Sequence, residues 1–274
     1  MPSESYSFLD VAVLDAVRQR FAAGDAVTIF SADLDQVLWA NGPGAALLGY
    51  RDIEAAIGAG GGLPLIARRQ VMAVGGYPDI GIDRAVALRL ASGMTSRAVA
   101  VSAGAVAMPD GERAIMLTVP AAPAASRSAA EIAAHAIGGF TEDGQFLAFV
   151  DGDGRVEASS EGFEALDIAG ETLAGLVAEV AGAHDRTVKR RIPAGGGSLP
   201  AGFARLTDDP PRHLLVVVED AGSDAEWPET EPQAEKPLAD DAAGSGVFQP
   251  APDEAAASAP SVEPGAEPTR EPER

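Results

Sequence analysis

Residues 27–50 read VTIFSADLDQVLWANGPGAALLGY. The stretch opens with two apolar runs, 27–32 and 36–41, rich in β-branched and aromatic side chains and joined by Asp33-Leu34-Asp35. Runs of that length flanking a short polar connection predict two paired strands. Asn41-Gly42-Pro43 halts the second run and opens a short helix through Leu47 and Leu48, closed by Gly49.

Upstream, residues 7–23 predict a helix. Ser7 followed by Asp10 is a capping-box-like start. Phe8, Leu14, Val17 and Phe21 recur at helical spacing, and Gly24 ends the run. That stripe has two readings, a dimer seam or a cover for its own sheet. Downstream, helical turns are expected over 52–57 and 64–74, with Pro64 suited to a first helical position. Period-two patterning then returns: Val86, Leu88 and Leu90 in one strand, 96–108 in a second and 113–119 in a third. Pro109-Asp110-Gly111-Glu112 makes the last turn, Pro presetting one backbone angle and Gly accepting a positive one.

Residues 120–126 (PAAPAAS) form a linker, and Ser128 with Glu131 caps a helix over 129–137. The same order of elements then recurs. Strands over 145–150 and 155–159 flank Asp151-Gly152-Asp153-Gly154, a hairpin signal. A short helix follows through Phe163 and Leu166, then a second with Leu173, Leu176, Val177 and Val180 on one face. Strands over 187–192, 199–206 and 212–219 close the unit. Two copies of strand–strand–helices–strand–strand–strand is the main organisational feature.

Beyond Glu219 the composition shifts. From that residue onward there are 15 acidic and 3 basic residues and 9 of the 20 prolines, so −12 of the formal net charge of −21 lies there. Such a segment buries too little apolar surface to offset its ordering entropy, which predicts a disordered acidic Pro-rich tail over 220–274.

The segment 27–50 resembles the opening of a PAS domain, a family with two strands, an Asn at the end of the second and a short helix closing on Leu-Gly-Tyr; here these are Asn41 and Leu48-Gly49-Tyr50. The second copy, FLAFVDGDGRVEASSEGFEALDI, resembles it more distantly: Ser159 or Ser160 stands where the Asn would be, and Leu166-Asp167 replaces Leu-Gly. The double-PAS order with a Pro-rich acidic segment also resembles the sensory region of alphaproteobacterial sensor histidine kinases of the cell-cycle type. The resemblance implies an α+β fold of two PAS-like domains, each an antiparallel five-stranded sheet with helices on one face around a small pocket, and dimerisation through N-terminal helices. The expected division is an N-terminal helix over 1–24, a first PAS-like domain over 25–120, a linker and helix over 121–139, a degenerate second domain over 140–219, and the tail.

Several chemistries are excluded or weakened by composition. There is no Cys, which removes disulfides, thiolate nucleophiles and Cys-ligated metal clusters. The acidic balance offers no basic stripe for nucleic acid and is repelled by anionic membrane. The start has no basic n-region, and the apolar stretch over 84–116 is interrupted by Arg89, Arg97 and the Pro109 turn, so neither a signal peptide nor a membrane span is expected and the cytoplasm is the expected compartment. His135 lacks the acidic neighbour and downstream Pro of a phosphoacceptor box. Asp79-Ile80-Gly81-Ile82-Asp83 departs from the kinase nucleotide motif at its last position, and no Gly-Lys pair exists for a P-loop. Asp151-Gly152-Asp153-Gly154 lacks the Glu that closes a calcium loop, Gly162 standing there.

Three residues are candidates for a pocket. Trp39 and Asn41 either line one or, more plainly, pack in the sheet and cap the following helix. His184 continues the apolar stripe of the second-copy helix, where an imidazole would face a pocket in a haem-binding PAS domain; a surface or capping role is the plainer reading. No metal and no cofactor is expected. His213 is expected to pair in a sheet, and Lys189-Arg190-Arg191 to be a solvated strand edge. The functional expectation is a non-catalytic sensory and dimerisation input module of a two-component histidine-kinase pathway: a homodimer that partners a histidine kinase or another signalling protein, with a small-molecule ligand as an option. The alternative is a stand-alone PAS scaffold or localisation protein. The chain shows no catalytic motif of its own; the family it resembles is that of protein-histidine kinases.

Overall fold

The computed structural model describes residues 6–57, 63–92, 95–121 and 127–219. The expected disordered tail, and linker residues 122–126, lie outside the described residues.

The chain begins with two short helices, α1 (Phe8–Ala12) and α2 (Arg18–Ala22). The first sheet follows: β1 (Ala26–Ser31), β2 (Val37–Ala40), then helices α3 (Gly42–Leu48), α4 (Ile53–Ala56) and α5 (Leu65–Met72), then β3 (Arg84–Ser92), β4 (Thr95–Ala107) and β5 (Arg113–Val119). Helix α6 (Ala129–Ile137) leads to the second sheet. Its elements are β6 (Gln145–Asp151), β7 (Val156–Ser159), a 3-10 turn over Phe163–Leu166, α7 (Gly170–Gly182), β8 (Thr187–Ala194), β9 (Gly197–Asp208) and β10 (Pro211–Val218). Both sheets are antiparallel with five strands, ordered β2-β1-β5-β4-β3 and β7-β6-β10-β9-β8. The two orders are the same when each sheet is numbered from its own first strand. The fold is therefore α+β, with two PAS-like domains.

Local chemistry explains most of the boundaries. Asn41 caps α3, its side-chain oxygen accepting from Gly44 N at 3.0 Å, and Gly49 ends that helix with φ +92°. Ser128 and Glu131 form a reciprocal capping box at α6. Asp151 accepts from Asp153 N and Arg155 N, closing the β6–β7 hairpin. Pro64, expected as the first helical residue, stands instead at the N-cap of α5, one position before Leu65.

The N-terminal segment differs from the expected continuous helix. Residues 13–17 form tighter turns, with Leu14 N bonded to Val11 O and Val17 N to Leu14 O. The Ser7 side chain makes no capping bond, and the Asp10 carboxylate pairs with Lys189 of β8 at 2.7 Å. β-Branched Val11, Val13 and Val17 weaken local helix preference, and these contacts with the second sheet outweigh it.

Register assigns the faces. In the first sheet, Thr28, Phe30, Leu88, Leu90, Val101 and Leu117 face the α3–α5 side. Ile29 and its register partner Trp39 face α1 and α2. In the second sheet, Ala148, Val150, Ala201, Phe203, Leu215 and Val217 pack under α7. Their alternates Leu147, Phe149, Ala204, Leu206, Leu214 and Val216 join the core that holds α1, α2 and the first sheet. Each sheet thus has its own helices on one face, and a shared helical layer lies between the two other faces.

Candidate functional site

The shared layer is built around aromatics. Phe8 packs on Phe21 with centroids 5.8 Å apart and on Trp39 at 5.1 Å. Phe21 reaches Phe149 of the second sheet at 5.2 Å. Trp39 is 1 % exposed, and its indole N–H donates to Phe8 O at 3.3 Å. The stripe expected at helical spacing is therefore spent inside the chain, as a cover for its sheet and a bridge to the next.

Two arginines fix this layer to the second sheet. Arg18 of α2 donates to Leu206 O of β9 at 2.8 Å. Arg212 of β10 donates to Ala22 O, at the end of α2, at 2.9 Å, where the helix leaves carbonyls without intrahelical partners. Arg212 also pairs with Glu157 of β7, Nε to Oε2 being 3.2 Å, and both side chains are largely buried. The layer also meets the first sheet through ions, Arg20 pairing with Asp83 and donating to Thr118 Oγ1 at 3.3 Å.

Two cavities flank these elements. The pocket of the first domain, between sheet and helices, is lined by Thr28, Phe30, Leu47, Leu63, Leu88 and Leu117 among others and measures about 10 Å³. That is space for roughly one water. Thr28 Oγ1 is buried there without a hydrogen-bond partner among the described residues. The larger cavity, about 310 Å³, is a cleft between residues 6–9 and the second sheet. Phe8, Leu9, Pro200 and Val216 give it an apolar wall, and Lys189 and Glu142 bring charge to it. Burial, aided by Glu54, pushes the Glu142 carboxyl above the usual range. At the mouth, Tyr6 donates to Asp110 at 2.7 Å, and burial together with that carboxylate raises the phenol. This cleft has the size and mixed lining of a small-molecule site.

The sequence-based pocket candidates do not converge on either cavity. Trp39 faces the shared layer, on the side of the sheet opposite the 10 Å³ pocket. Asn41 is fully buried but committed: it accepts from Val27 N at 2.9 Å and Gly44 N, and donates to Asp25 O at 2.7 Å. His184 takes the plainer of its two readings. Helix α7 ends at Gly182 with Ala183 extended, so His184 falls past the stripe it was expected to continue and stands exposed. His213 does sit in a strand, 2 % exposed, stacked on Phe203 with centroids 5.1 Å apart and its Nδ1 3.3 Å from Val150 O. Burial holds its pKa below the ordinary histidine value, against the pull of the nearby backbone carbonyls. Among the described residues no three His, Asp or Glu side chains are grouped to hold a metal ion, and no helix is long and apolar enough to cross a membrane.

The shared layer was missed by pattern reading, although a signal exists. Phe146–Val150 and Leu214–Val218 are unbroken apolar runs rather than alternating ones. Continuous runs mark strands buried on both faces.

No family model matches the chain. Among curated proteins, the cell-division control histidine kinase PdhS of Brucella anthropi is 42% identical over 219 residues, 80% of this chain and 20% of that protein. PdhS of Brucella abortus strain S19 gives the same identity and coverage. Of solved structures, the extracellular domain of histidine kinase rpHK1S-Z16 overlaps 73% of this chain and 73% of its own at 14% identity and a TM-score of 0.25. The bacteriophytochrome RpBphP3 of R. palustris overlaps 72% and 52% at 10% identity and a TM-score of 0.26. TM-scores of that size do not establish a shared topology. The chain spans about a fifth of the length of the curated relatives it matches, and over four fifths of its own length it is similar to a segment of the cell-division control histidine kinases PdhS.

Proposed function

We propose that this chain is a non-catalytic input region of a cell-division histidine-kinase pathway, acting in the cytoplasm as a homodimer that signals to a kinase core in the same chain or in another. The observation that carries this reading is the shared core. A packed interior transmits displacement instead of absorbing it. A small ligand in the 310 Å³ cleft would press on Phe8 and Leu9, and through Phe8 on Trp39 of the first sheet and Phe21 against the second. The two sheets would then respond as one body, with the boundaries at 25–120 and 140–219 marking repeats of a fold more than separate sensors. A dimer would use a surface other than the Phe8–Phe21 stripe, which is already covered.

Light scattering at micromolar concentration tests the assembly: twice the 27.8 kDa chain mass is expected, and a clean monomer would overturn the dimer. Incubation with radiolabelled ATP is expected to leave the chain unlabelled, and stable incorporation would overturn the non-catalytic reading. Urea unfolding followed by amide exchange is expected to show both sheets opening together. Two separate transitions would sink the one-body claim.

A further inference from the structure

The chain carries a formal charge of −21, yet residues 63–107 hold five arginines and only two carboxylates, Asp79 and Asp83. Both carboxylates are taken by arginines outside that stretch, Asp79 by Arg113 and Asp83 by Arg20. Arg68 is taken by Asp35 of the β1–β2 turn. The remaining four, Arg69 on α5, Arg84 and Arg89 on β3 and Arg97 on β4, are exposed, and among the described residues none has an ion-pair partner.

These arginines surround an open strand edge. β3 is the last strand of its sheet and pairs on one side only, with β4. Arg89 N points away from β4, because it donates to the side chain of Gln70 at 2.9 Å. The β3–β4 register runs without a bulge, so Ala85 and Ala87 share that outward orientation. Neither has a hydrogen-bond partner on the open side among the described residues. Beside this edge, α5 exposes Leu65 at 62%, Ile66 at 59% and Met72 at 47% while burying Ala67 and Val71.

We propose that the β3 edge binds an extended acidic segment of a partner protein by strand addition at Ala85–Ala87, with carboxylates on the α5 face meeting Arg84 and Arg97, apolar side chains on that face reaching Leu65, Ile66 and Met72, and a carboxylate on the opposite face meeting Arg89. The backbone supplies the pairing and the arginines supply the selectivity. A second copy of this chain fits poorly, since β3 against β3 would gather unpaired arginines on both sides of one seam. Charge at an edge also protects against such self-pairing, and the two roles are compatible. Long polyanions fit poorly as well. Screening confines the attraction to roughly 8 Å, and a nucleic acid or membrane surface extending beyond the island meets the acidic remainder of the chain. The binding edge does not depend on whether the chain sits upstream of a kinase core.

The test uses the full chain and a fluorescein-labelled octapeptide repeating Glu-Glu-Val-Val, which sets both residue types on each face of the added strand, with its Lys and Val counterpart as control. Fluorescence anisotropy is expected to show saturable binding of the acidic peptide alone, weakening with salt, and amide exchange at Ala85 and Ala87 is expected to slow when it is bound. The triple reversal Arg84→Glu, Arg89→Glu, Arg97→Glu, all at exposed sites, is expected to weaken binding by about tenfold or more. Ala87→Pro, which removes one outward N–H but no charge, is expected to weaken it as well. Unchanged circular dichroism verifies that both variants fold. No binding of the acidic peptide, binding indifferent to the reversal, or tighter binding to anionic vesicles or a single-stranded oligonucleotide than to the peptide would each overturn the proposal.

Discussion

The ends of the second strand in the two sheets differ by one functional group. In the first sheet Asn41 accepts from Val27 N at 2.9 Å and returns its own N–H to Val27 O at 3.1 Å. In the second, Ser160 accepts from Leu147 N at 2.9 Å and returns its N–H to Leu147 O at 2.8 Å. The latch to the first strand is the same. The amide does more: its oxygen also takes Gly44 N, and its nitrogen donates to Asp25 O. A hydroxyl is too short to hold strand and helix together. After Asn41 the chain forms a seven-residue α-helix; after Ser160 it forms a four-residue 3-10 turn with Gly162 at φ +84° and no side-chain cap. The second sheet lacks, at this point, the single residue that couples the first sheet to its helix.

Truncating both latches would break the comparison most sharply. Asn41→Ala leaves Val27 N, Gly44 N and Asp25 O without their partner in a fully buried site, and is expected to cost about 3 kcal/mol. Ser160→Ala removes one bond and is expected to cost about 1 kcal/mol. Urea midpoints measure both. Equal losses would mean that the amide adds nothing beyond the latch.

Next in size is the attachment of the second sheet to the helical layer through the largely buried Arg212. Arg212→Ala strips Glu157 of its partner and Ala22 O of its donor, and is expected to cost about 2 kcal/mol, below the range for well-formed buried pairs because Nε and Oε2, though buried, make no hydrogen bond to each other. Adding Glu157→Gln should restore part of the loss, since the stranded charge is then gone. No restoration would place the cost in the Ala22 contact alone.

A smaller effect of opposite sign is expected in the first-domain pocket. Thr28→Val replaces a buried hydroxyl that has no partner with a methyl of similar size, and should raise stability by about 1 kcal/mol in thermal or urea unfolding. A destabilised variant would show that the hydroxyl is satisfied by a water or ligand in that small space.

Much of this was legible from residue order. Strand β5 and helix α6 lie at their expected limits, because an apolar run bounded by a Pro-Asp-Gly turn and a Ser-x-x-Glu cap are local signals. The repeat of such signals supplied two sets of five strands, and the resemblance to PAS domains implied that each set forms one antiparallel sheet, as it does. What was not legible depends on contacts far along the chain. The break between α1 and α2 comes where Asp10 pairs with Lys189 and Arg18 reaches Leu206, partners more than 170 residues away. The ambiguity between Ser159 and Ser160 is likewise decided by register against Leu147, which no local pattern states. For His184 the choice between pocket and surface turns on where the helix stops: α7 ends at Gly182, two residues short of it, and it stands exposed, as in the plainer reading.

The mildest test distinguishes the two faces of the second sheet by pH. His213 lies on the α7 side with Phe203, and burial favours its neutral form. A histidine whose folded pKa is depressed binds fewer protons when folded than when unfolded. Stability is therefore full above the unfolded value of about 6.5 and declines as pH falls from there toward the folded pKa. Urea midpoints from pH 8 to 5 are expected to fall more steeply for the native chain than for His213→Phe, which keeps a ring against Phe203 but cannot be protonated. Carboxylates elsewhere contribute to both curves, so the difference between them isolates this site. If the α7 core loosens first, amide exchange at low pH will quicken in β10 and α7 before it does in α1 and α2. Parallel curves for the two chains would mean that the imidazole can accept a proton without leaving its stack, and that the α7 face is less closely packed than the distance to Val150 implies.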